Sequence, residues 1–432
     1  MNVIVSVLFV ATVVWSLASN PDKFSPAKFF LLSFLVFNAG ALGSRAPWQL
    51  WLLLLFVLLV GMATVLFEAI ARGPATRARP RRPFDERRFV FWIWLLSMPA
   101  LLSQIAVVQM FGGIEGYINI IGNRVVELRG LGWAKTMIST ITVFNLIYFA
   151  VGLTRPRSRL WWTGYVVHLL CLIVIGLLSG SRSALLTVFA MQLFSVHYLR
   201  GGVRLLRAVT VGVVLVASAM VIGVAREGIR LDDDTLSTGL DEAEGLLQLS
   251  IFNYGVLPLE ILLDAGPLRL AYGSTLVSLA TNAVPRDWWP GKPDTGGVFF
   301  TKEYTGDAWD GASNLTPTFL GESVINFGWA IGVVFFLVAY PAMMHALVGY
   351  YRRTLRRLRD EPGPASAIDL VIYLCVLWSV VALMTGEVTN VLLNLVLTQI
   401  VPALAARAWL TRRRRPARRV ARPAPVGPSS GG

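Results

Sequence analysis

Charge is the scarcest feature of this sequence, and cysteine and histidine are nearly absent from it. Only 15% of the 432 residues are charged, compared with about 25% in soluble domains, whereas 55% are hydrophobic. This composition excludes a disordered chain and an ordinary soluble enzyme. The two cysteines, Cys171 and Cys375, both fall within apolar runs, which excludes a disulfide scaffold and favours a packing role for each. The class that remains is a membrane protein with several spans.

The sequence also lacks the compact motifs of several enzyme classes. It contains no Walker A loop, no Gly-x-Ser-x-Gly elbow and no zinc-binding motif, so an ATPase, a hydrolase of that type and a zinc peptidase have no support. Asp232-Asp233-Asp234 has the spacing to bind a divalent cation, but no oxygen-rich turn surrounds it, and acidic runs in loops are usually solvated. We therefore expect neither a metal ion nor a cofactor.

Eleven apolar runs predict transmembrane helices. The run from Leu50 to Ile70 would form a helix of roughly 31 Å at about 1.5 Å per residue, which matches a hydrocarbon core of about 30 Å. No Lys or Arg precedes the first run, so we interpret it as an uncleaved helix rather than a signal peptide. The predicted spans are 2–19, 28–43, 48–71, 89–111, 136–153, 160–179, 183–199, 203–224, 318–348, 366–385 and 388–409.

The distribution of basic residues predicts the orientation of these spans. With the amino terminus outside, 28 of the 39 Lys and Arg residues fall in segments that face the cytoplasm, as the positive-inside rule requires. Residues 1–224 then carry eight spans, 225–317 form one long outer loop, 318–409 carry three spans, and 410–432 form a basic, disordered cytoplasmic tail. Because this tail directly follows a span, we expect it to bind anionic membrane lipids rather than nucleic acid.

The outer loop is too apolar for disorder, and it predicts two short interfacial helices, over 246–263 and 268–284. Basic side chains lie near the expected membrane surface, at Arg182, Arg226, Arg230, Arg269, Arg286 and Lys292. The planar guanidinium group of Arg binds phosphate oxygens in pairs, and the Gly-Ser turn within Ser179–Ser183 adds free backbone N–H groups. This combination predicts a site for a lipid-linked diphosphate. For Arg182 alone, a snorkelling anchor is the structural alternative.

Four stretches of the chain resemble the oligosaccharide repeat-unit polymerases, also called O-antigen or Wzy-type polymerases. They are Ser179–Ser183, Tyr272–Thr275, Val284–Pro293 and Thr316–Gly328. Members of that family are described with an arginine, ten further residues and then a glycine in outer loops, and Arg286 with Gly297 has that spacing. No second such pair occurs among the outer-loop arginines, so a model with two capture loops has no support in this chain.

The resemblance implies an all-α polytopic membrane protein with a GT-C-like helical core and metal-independent chemistry. It implies an enzyme of the bacterial inner membrane that joins oligosaccharide repeat units carried on undecaprenyl diphosphate. A copolymerase that regulates chain length is a further candidate partner.

The expected reaction is a single displacement with inversion at the anomeric carbon, and it needs a base for the acceptor hydroxyl. Glu322 is the first candidate base, because it lies at the outer start of a span; Glu387 is the second and Asp310 the third. The alternative is a structural carboxylate that pairs with an arginine. Arg182 and Arg286 would stabilise the diphosphate, assisted by Arg226, Arg230, Lys292 and Ser181. Ring faces for the sugars would come from Tyr272, Trp288 and Trp289, although interfacial anchoring is an equally good role for them.

Three other functions remain open at the level of sequence. The related O-antigen ligases commonly use an outer-face histidine, whereas His168 falls within a span and His197 and His345 at the inner face. We interpret His168 as a core histidine. A transporter or flippase of a lipid-linked sugar would often show inverted repeats, and no internal repeat is evident. A purely structural membrane protein would not need arginines beneath one loop.

Overall fold

The computed structural model describes residues 1–43, 46–70, 84–120, 130–178, 182–204, 206, 210, 212–213, 253–282, 284, 288–306 and 315–410. All regular structure in these ranges is helical. The helices before the long loop are α1 (Asn2–Ser19), α2 (Pro26–Asn38), α3 (Gly40–Gly43), α4 (Trp48–Ile70), α5 (Glu86–Met110), α6 (Gly113–Ile120), α7 (Gly132–Leu153), α8 (Arg159–Leu178) and α9 (Arg182–Arg200). The later helices are α10 (Leu257–Asp264), α11 (Ser274–Thr281), α12 (Gly296–Tyr304), α13 (Thr318–Asp360), α14 (Pro364–Ala382), α15 (Val388–Asn394) and α16 (Val401–Leu410), with a π-helical turn at Leu395–Ile400 between the last two.

Eight helical segments of the described ranges are long and apolar enough to cross a membrane. They are α1, α4, α5, α7, α8, α13, α14 and the continuous segment Val388–Trp409. The chain is therefore a helical membrane protein with several spans, as predicted, whereas the count of eleven stays a prediction. The predicted span 28–43 is divided between α2 and α3, and α2 has only 13 residues. Helix α9 fills the predicted span 183–199, and most of 203–224 lies outside the described residues.

Connections between the helices gather at two opposite ends of the bundle. At one end Asn20 donates to Glu68 (2.8 Å), Arg352 donates to the Glu68 carbonyl, and Arg357 pairs with Asp369 (2.9 Å). The basic side chains with contacts at this end are Lys28, which donates to the Asn20 and Asp22 carbonyls, and Arg352, Arg357 and Arg407. We call it the basic end. The segments that the charge pattern assigns to one side thus share one end of the bundle.

Helix α13 contains the predicted span 318–348, but it is not straight. Its chain reverses at Gly328, which has φ 77° and ψ 173°. The Phe319 ring consequently lies 5.5 Å from the Tyr340 ring, although a straight helix would separate these residues by roughly 31 Å. The segment Thr318–Phe327, which we call the short arm, therefore folds back along the rest of α13.

The short arm is enclosed by the bundle. All nine residues from Thr318 to Asn326 are buried. Its first turn is fixed by the N–H of Phe319, which donates to the carbonyl of Leu383 at 2.9 Å, and its last turn by the carbonyl of Ile325, which accepts from the N–H of Ala271 at 2.8 Å. The short arm thereby fills the end of the bundle opposite the basic end and carries its polar side chains into the interior.

Hydrogen bonds between helices also stabilise the middle of the bundle. His168 is fully buried, and its ring nitrogens lie 2.8 Å from Ser97 Oγ and 3.1 Å from Asn145 Nδ2. Gln192 in turn donates to Asn145 Oδ1 (3.1 Å), so that α5, α7, α8 and α9 are joined. Such polar contacts are a common means of helix association within membranes. The packing role predicted for His168 agrees with this placement.

The tight reversal at Gly328 predicts a stability defect at Gly332. A methyl group on Gly332 would lie 2.5 Å from the Ser323 carbonyl oxygen on the short arm, whereas one on Gly349 of the same helix meets nothing within 4 Å. We expect G332A to reduce the free energy of unfolding by about 1–3 kcal/mol through overpacking, and G349A to leave it unchanged or raise it. Thermal unfolding of the two purified variants in detergent measures this difference. Equal Tm values for the two would contradict the folded-back geometry.

Candidate functional site

Two glutamates meet inside the end of the bundle opposite the basic end. Glu322 lies on the short arm and is fully buried, and Glu387 lies at the start of α15 and is 2% exposed. The N–H of Val388, the residue after Glu387, donates to Glu322 Oε2 at 2.6 Å. The first and second candidate bases are therefore neighbours. We call Glu322 and Glu387 the carboxylate pair, and this end of the bundle the carboxylate end.

The second oxygen of Glu322 is held by a side chain from α11. Thr275 Oγ1 donates to Glu322 Oε1 at 2.9 Å. Asn326, one turn further along the short arm, donates from Nδ2 to Thr275 Oγ1 and to the Glu322 carbonyl oxygen, both at 2.7 Å. Glu322 thus accepts bonds from α11 and α15 at once, and its position depends on both helices.

The amino terminus of α12 lies against both carboxylates. The N–H of Gly297 donates to Glu387 Oε2, and the Thr295 side chain also hydrogen-bonds Glu387. Gly296 is so close to Glu322 that an added methyl group would lie 2.7 Å from Cδ. The partial positive charge at a helix amino terminus favours carboxylates in this position.

Hydroxyl groups fix α11 against α15 directly beside the pair. Thr389 donates from Oγ1 to the Thr275 carbonyl at 3.0 Å, and Ser278 Oγ lies 2.8 Å from Thr389 Oγ1. Thr275, Ser278 and Thr389 are all fully buried. The surroundings of the carboxylate pair are therefore rich in neutral hydrogen-bond donors.

No lysine or arginine within the described residues forms an ion pair with Glu322 or Glu387. At the basic end, by contrast, the buried Asp369 pairs with Arg357 (2.9 Å) and Arg407 (2.6 Å). Burial raises the pKa of Glu387 above its ordinary value, although the bonds from Gly297 and Thr295 act in the opposite direction. Among the described residues the partners of both glutamates are amides and hydroxyls. The arginines predicted near them lie outside the described side chains, so the alternative of an arginine-paired carboxylate stays a prediction.

The aromatic candidates lie at the carboxylate end and are open to the surroundings. Tyr272 is 82% exposed, Trp288 is 83% exposed and Trp289 is 44% exposed. Tyr272 has the unusual φ of 50° and is followed by Gly273 at φ 83°, which begins α11. This turn places an exposed ring three residues before the buried Thr275.

The cationic candidates are only partly described. Arg226, Arg230, Arg286, Ser181 and Asp310 lie outside the described residues, and α9 begins at Arg182, whose side chain is likewise outside them. The diphosphate cradle therefore stays a prediction.

Lys292 is described and binds the end of α11. Its ammonium group donates to the carbonyls of Val284 (2.7 Å) and Asn282 (3.2 Å). This contact holds the Trp288–Lys292 turn against α11. The phosphate contact predicted for Lys292 stays a prediction.

Several members of the site were not selected from the sequence, namely Thr275, Thr295, Gly296, Asn326 and Thr389. Thr275 and Asn326 do lie in two of the stretches that carry the resemblance, Tyr272–Thr275 and Thr316–Gly328, and the fold brings these stretches into contact. Small polar residues are too common in loops for spacing alone to identify them.

Comparison with known proteins adds no assignment, since no protein-family model and no curated protein matches this chain.

The buried Glu387 predicts a specific pH dependence. Its raised pKa means that the folded state binds the proton more tightly than the unfolded state, whose glutamate has a pKa of about 4.3. The contribution of this group to stability is therefore complete below that pH and is lost as the pH rises through the folded pKa. We expect the Tm of the wild-type protein to fall more between pH 5 and pH 8 than that of E387Q, with all else equal.

A matched control comes from E303Q, because Glu303 forms an exposed pair with Arg269. Its Tm should change with pH as in the wild type. The same pH dependence in E387Q and in the wild type would contradict the burial argument.

Proposed function

We propose that this chain is a polymerase of lipid-linked oligosaccharide repeat units in the synthesis of a bacterial surface polysaccharide. It would transfer a glycan from undecaprenyl diphosphate to the end of a second lipid-linked unit. The observation that carries the proposal is the carboxylate pair: two buried acids within a bundle of membrane-spanning helices, held by neutral donors and remote from the basic end.

The charge asymmetry of the bundle supports the placement of this chemistry. If the basic end faces the cytoplasm, as the positive-inside rule favours, the carboxylate end faces the outer side of the inner membrane. The amino terminus then lies outside and the carboxyl terminus inside. A diphosphate at the outer interface, with its polyprenyl tail among the lipids, would lie level with the exposed aromatic residues Tyr272, Trp288 and Trp289.

The proposed reaction is one inverting displacement. The acceptor oxygen forms a bond to the anomeric carbon as the bond from that carbon to the diphosphate breaks, and the diphosphate leaves with the electron pair. Glu322 takes the hydroxyl proton, and Glu387 is the second candidate for this role. Arg182, Arg226, Arg230 and Arg286 would stabilise the leaving diphosphate without a metal ion. A GT-C-like arrangement of the helical core and a copolymerase partner belong to the same proposal.

The histidines disfavour the related ligase reaction. His168 is fully buried in the middle of the bundle. At the basic end His197 binds Asp22 (3.1 Å), and His345 packs against the Phe67 ring at 4.7 Å. The three histidines of the chain are thus all distant from the carboxylate end.

One observation favours a second candidate, a transporter of the same lipid-linked sugar. The break at Gly328 leaves a short buried helix beside a polar site, and broken helices with such sites are a feature of transporters. A transporter would move the lipid-linked unit across the bilayer and leave every glycosidic bond intact.

The proposed base predicts the behaviour of E322Q. The amide preserves size and can still accept the Val388 N–H, so the protein should fold and insert normally. It cannot accept the hydroxyl proton, and we expect transfer to fall by about 100-fold or more. Polymer formation from purified lipid-linked repeat units measures the loss, with E115Q, which changes an exposed glutamate of α6, as the control. Wild-type activity in E322Q would remove Glu322 as the base.

The diphosphate cradle predicts that arginine geometry matters as well as charge. R182K and R286K keep the charge but lose the paired hydrogen bonds, so each should reduce the yield and length of the polymer, while R353K at an exposed site of α13 should not. Chelation with EDTA should leave wild-type transfer intact. Normal polymer from both cradle variants would contradict the cradle, and translocation without any new glycosidic bond would favour the transporter.

A further inference from the structure

The carboxylate pair is sealed in this structure by α12. Glu322 has no exposed surface and Glu387 only 2%, so no acceptor hydroxyl reaches either acid in this conformation. The atoms that close the site belong to the first turn of α12, where the N–H of Gly297 donates to Glu387 and Gly296 lies against Glu322. A base at this site needs α12 to move.

Gly296 lies where the backbone of α12 comes closest to the Glu322 carboxylate. A methyl group on Gly296 would lie 2.7 Å from both Cδ and Oε1 of Glu322, which is closer than real side-chain contacts. Glycine is otherwise unfavourable in a helix, by roughly 1 kcal/mol relative to alanine. The close approach of the α12 backbone to the carboxylate is therefore the feature that requires Gly296.

Beyond its first turn, α12 is attached by a buried aromatic side chain and by polar contacts. Phe300 is fully buried and packs with Leu262 and Ile325. Thr301 Oγ1 accepts from the Leu315 N–H at 3.2 Å. Helix α12 has only nine residues, and the buried ones lie on one face. The far end of α12 is also attached, since Glu303 pairs with Arg269 at 2.8 Å and the Tyr304 hydroxyl donates to the Arg269 carbonyl at 2.6 Å. The Phe300 ring, these contacts and the amino terminus of α12 together hold the closure in place.

A second observation points to a missing hydrogen-bond donor at the same place. Asn326 is 1% exposed, and its Oδ1 has no hydrogen-bond partner, while its Nδ2 binds Thr275 and the Glu322 carbonyl. A buried amide oxygen without a donor is costly. The carboxylate pair and Asn326 together form a set of acceptors that suits a ligand with several hydroxyl donors, which is the chemistry of a sugar.

We propose that α12 is a lid over the carboxylate pair, and that the place of Gly296 and Gly297 is taken during transfer by a hydroxyl group of the acceptor sugar. The Gly297 N–H donates to Glu387 in the closed state, and the sugar O–H donates to the pair in the open state. The identity of this occupant rests on the proposed function, whereas the opening of the lid does not.

Labelling of the carboxylates tests the lid without any substrate. Dicyclohexylcarbodiimide adds to carboxyl groups that it can reach in apolar surroundings, and mass spectrometry then identifies the modified residue. The variant G296A can close only with a clash at Glu322, while G291A changes a glycine of the same segment that has nothing within 4 Å. We expect G296A to increase labelling of Glu322 by about tenfold over the wild type and G291A to leave it unchanged.

Removal of the Phe300 ring, which anchors α12, is a second way to favour the open position of this helix. F300A should also increase labelling of Glu322, while F299A, which changes a half-buried neighbour, should have a much smaller effect. Glu68 is 2% exposed at the basic end and reports general unfolding. Unchanged labelling of Glu322 in both G296A and F300A would overturn the lid, and so would a parallel increase at Glu68.

A separate measurement, the KM for the acceptor unit, tests whether the acceptor sugar occupies the opened site. In the transfer assay G296A should change the KM for the acceptor unit and leave that for the donor unit unaltered. An unchanged acceptor KM, in variants whose Glu322 is labelled more readily, would overturn the acceptor as occupant. If the wild-type protein labels as expected but transfers nothing, the proposed function fails while the lid stands.

Discussion

The burial of two carboxylates in an apolar bundle is the constraint on which the carboxylate end depends. Removal of an ion from water costs several kcal/mol unless hydrogen bonds replace the lost hydration. For Glu322 and Glu387 these bonds come from the starts of two helices, at Val388 and Gly297, and from the Thr275 hydroxyl. The starts of α11, α12 and α15, which are distant in sequence, must therefore meet at the carboxylate pair. The reversal at Gly328 is what brings the short arm there.

Buried acidic side chains are stabilised by different partners at the two ends of the bundle. At the basic end two arginines neutralise Asp369, which fixes its charge and gives it a structural role. At the carboxylate end the partners among the described residues are neutral, so hydrogen bonds rather than ion pairs stabilise the charge in this part of the chain. A group in the second situation can gain or lose a proton, or exchange one donor for another, without breaking an ion pair. Chemistry is therefore expected at the carboxylate end.

The sequence predicts the membrane class and the first two candidate acids, because both depend on local composition. A run such as Leu50–Ile70 has no other stable environment than a bilayer or a deep core, and an acid such as Glu322 stands out beside an apolar run. The reversal at Gly328 and the contact of Gly296 with Glu322 depend on tertiary packing across many residues. Their only local signal is glycine, which occurs 38 times in the chain.

A closed site can still serve a reaction if α12 gives the carboxylates the hydrogen-bond donor that the substrate provides after opening. While no sugar hydroxyl is present, the Gly297 N–H donates to Glu387. This hydrogen bond replaces part of the hydration that the carboxylate loses on burial. A sugar hydroxyl offers the same donor and, unlike an amide, can give up its proton to a carboxylate. In the proposed open state, exchange of the Gly297 N–H for a sugar O–H keeps Glu387 hydrogen-bonded while the acceptor lies beside Glu322, the first candidate base. Under this proposal the contact of α12 with the carboxylate pair is the resting state of a lid and not a fixed structural contact.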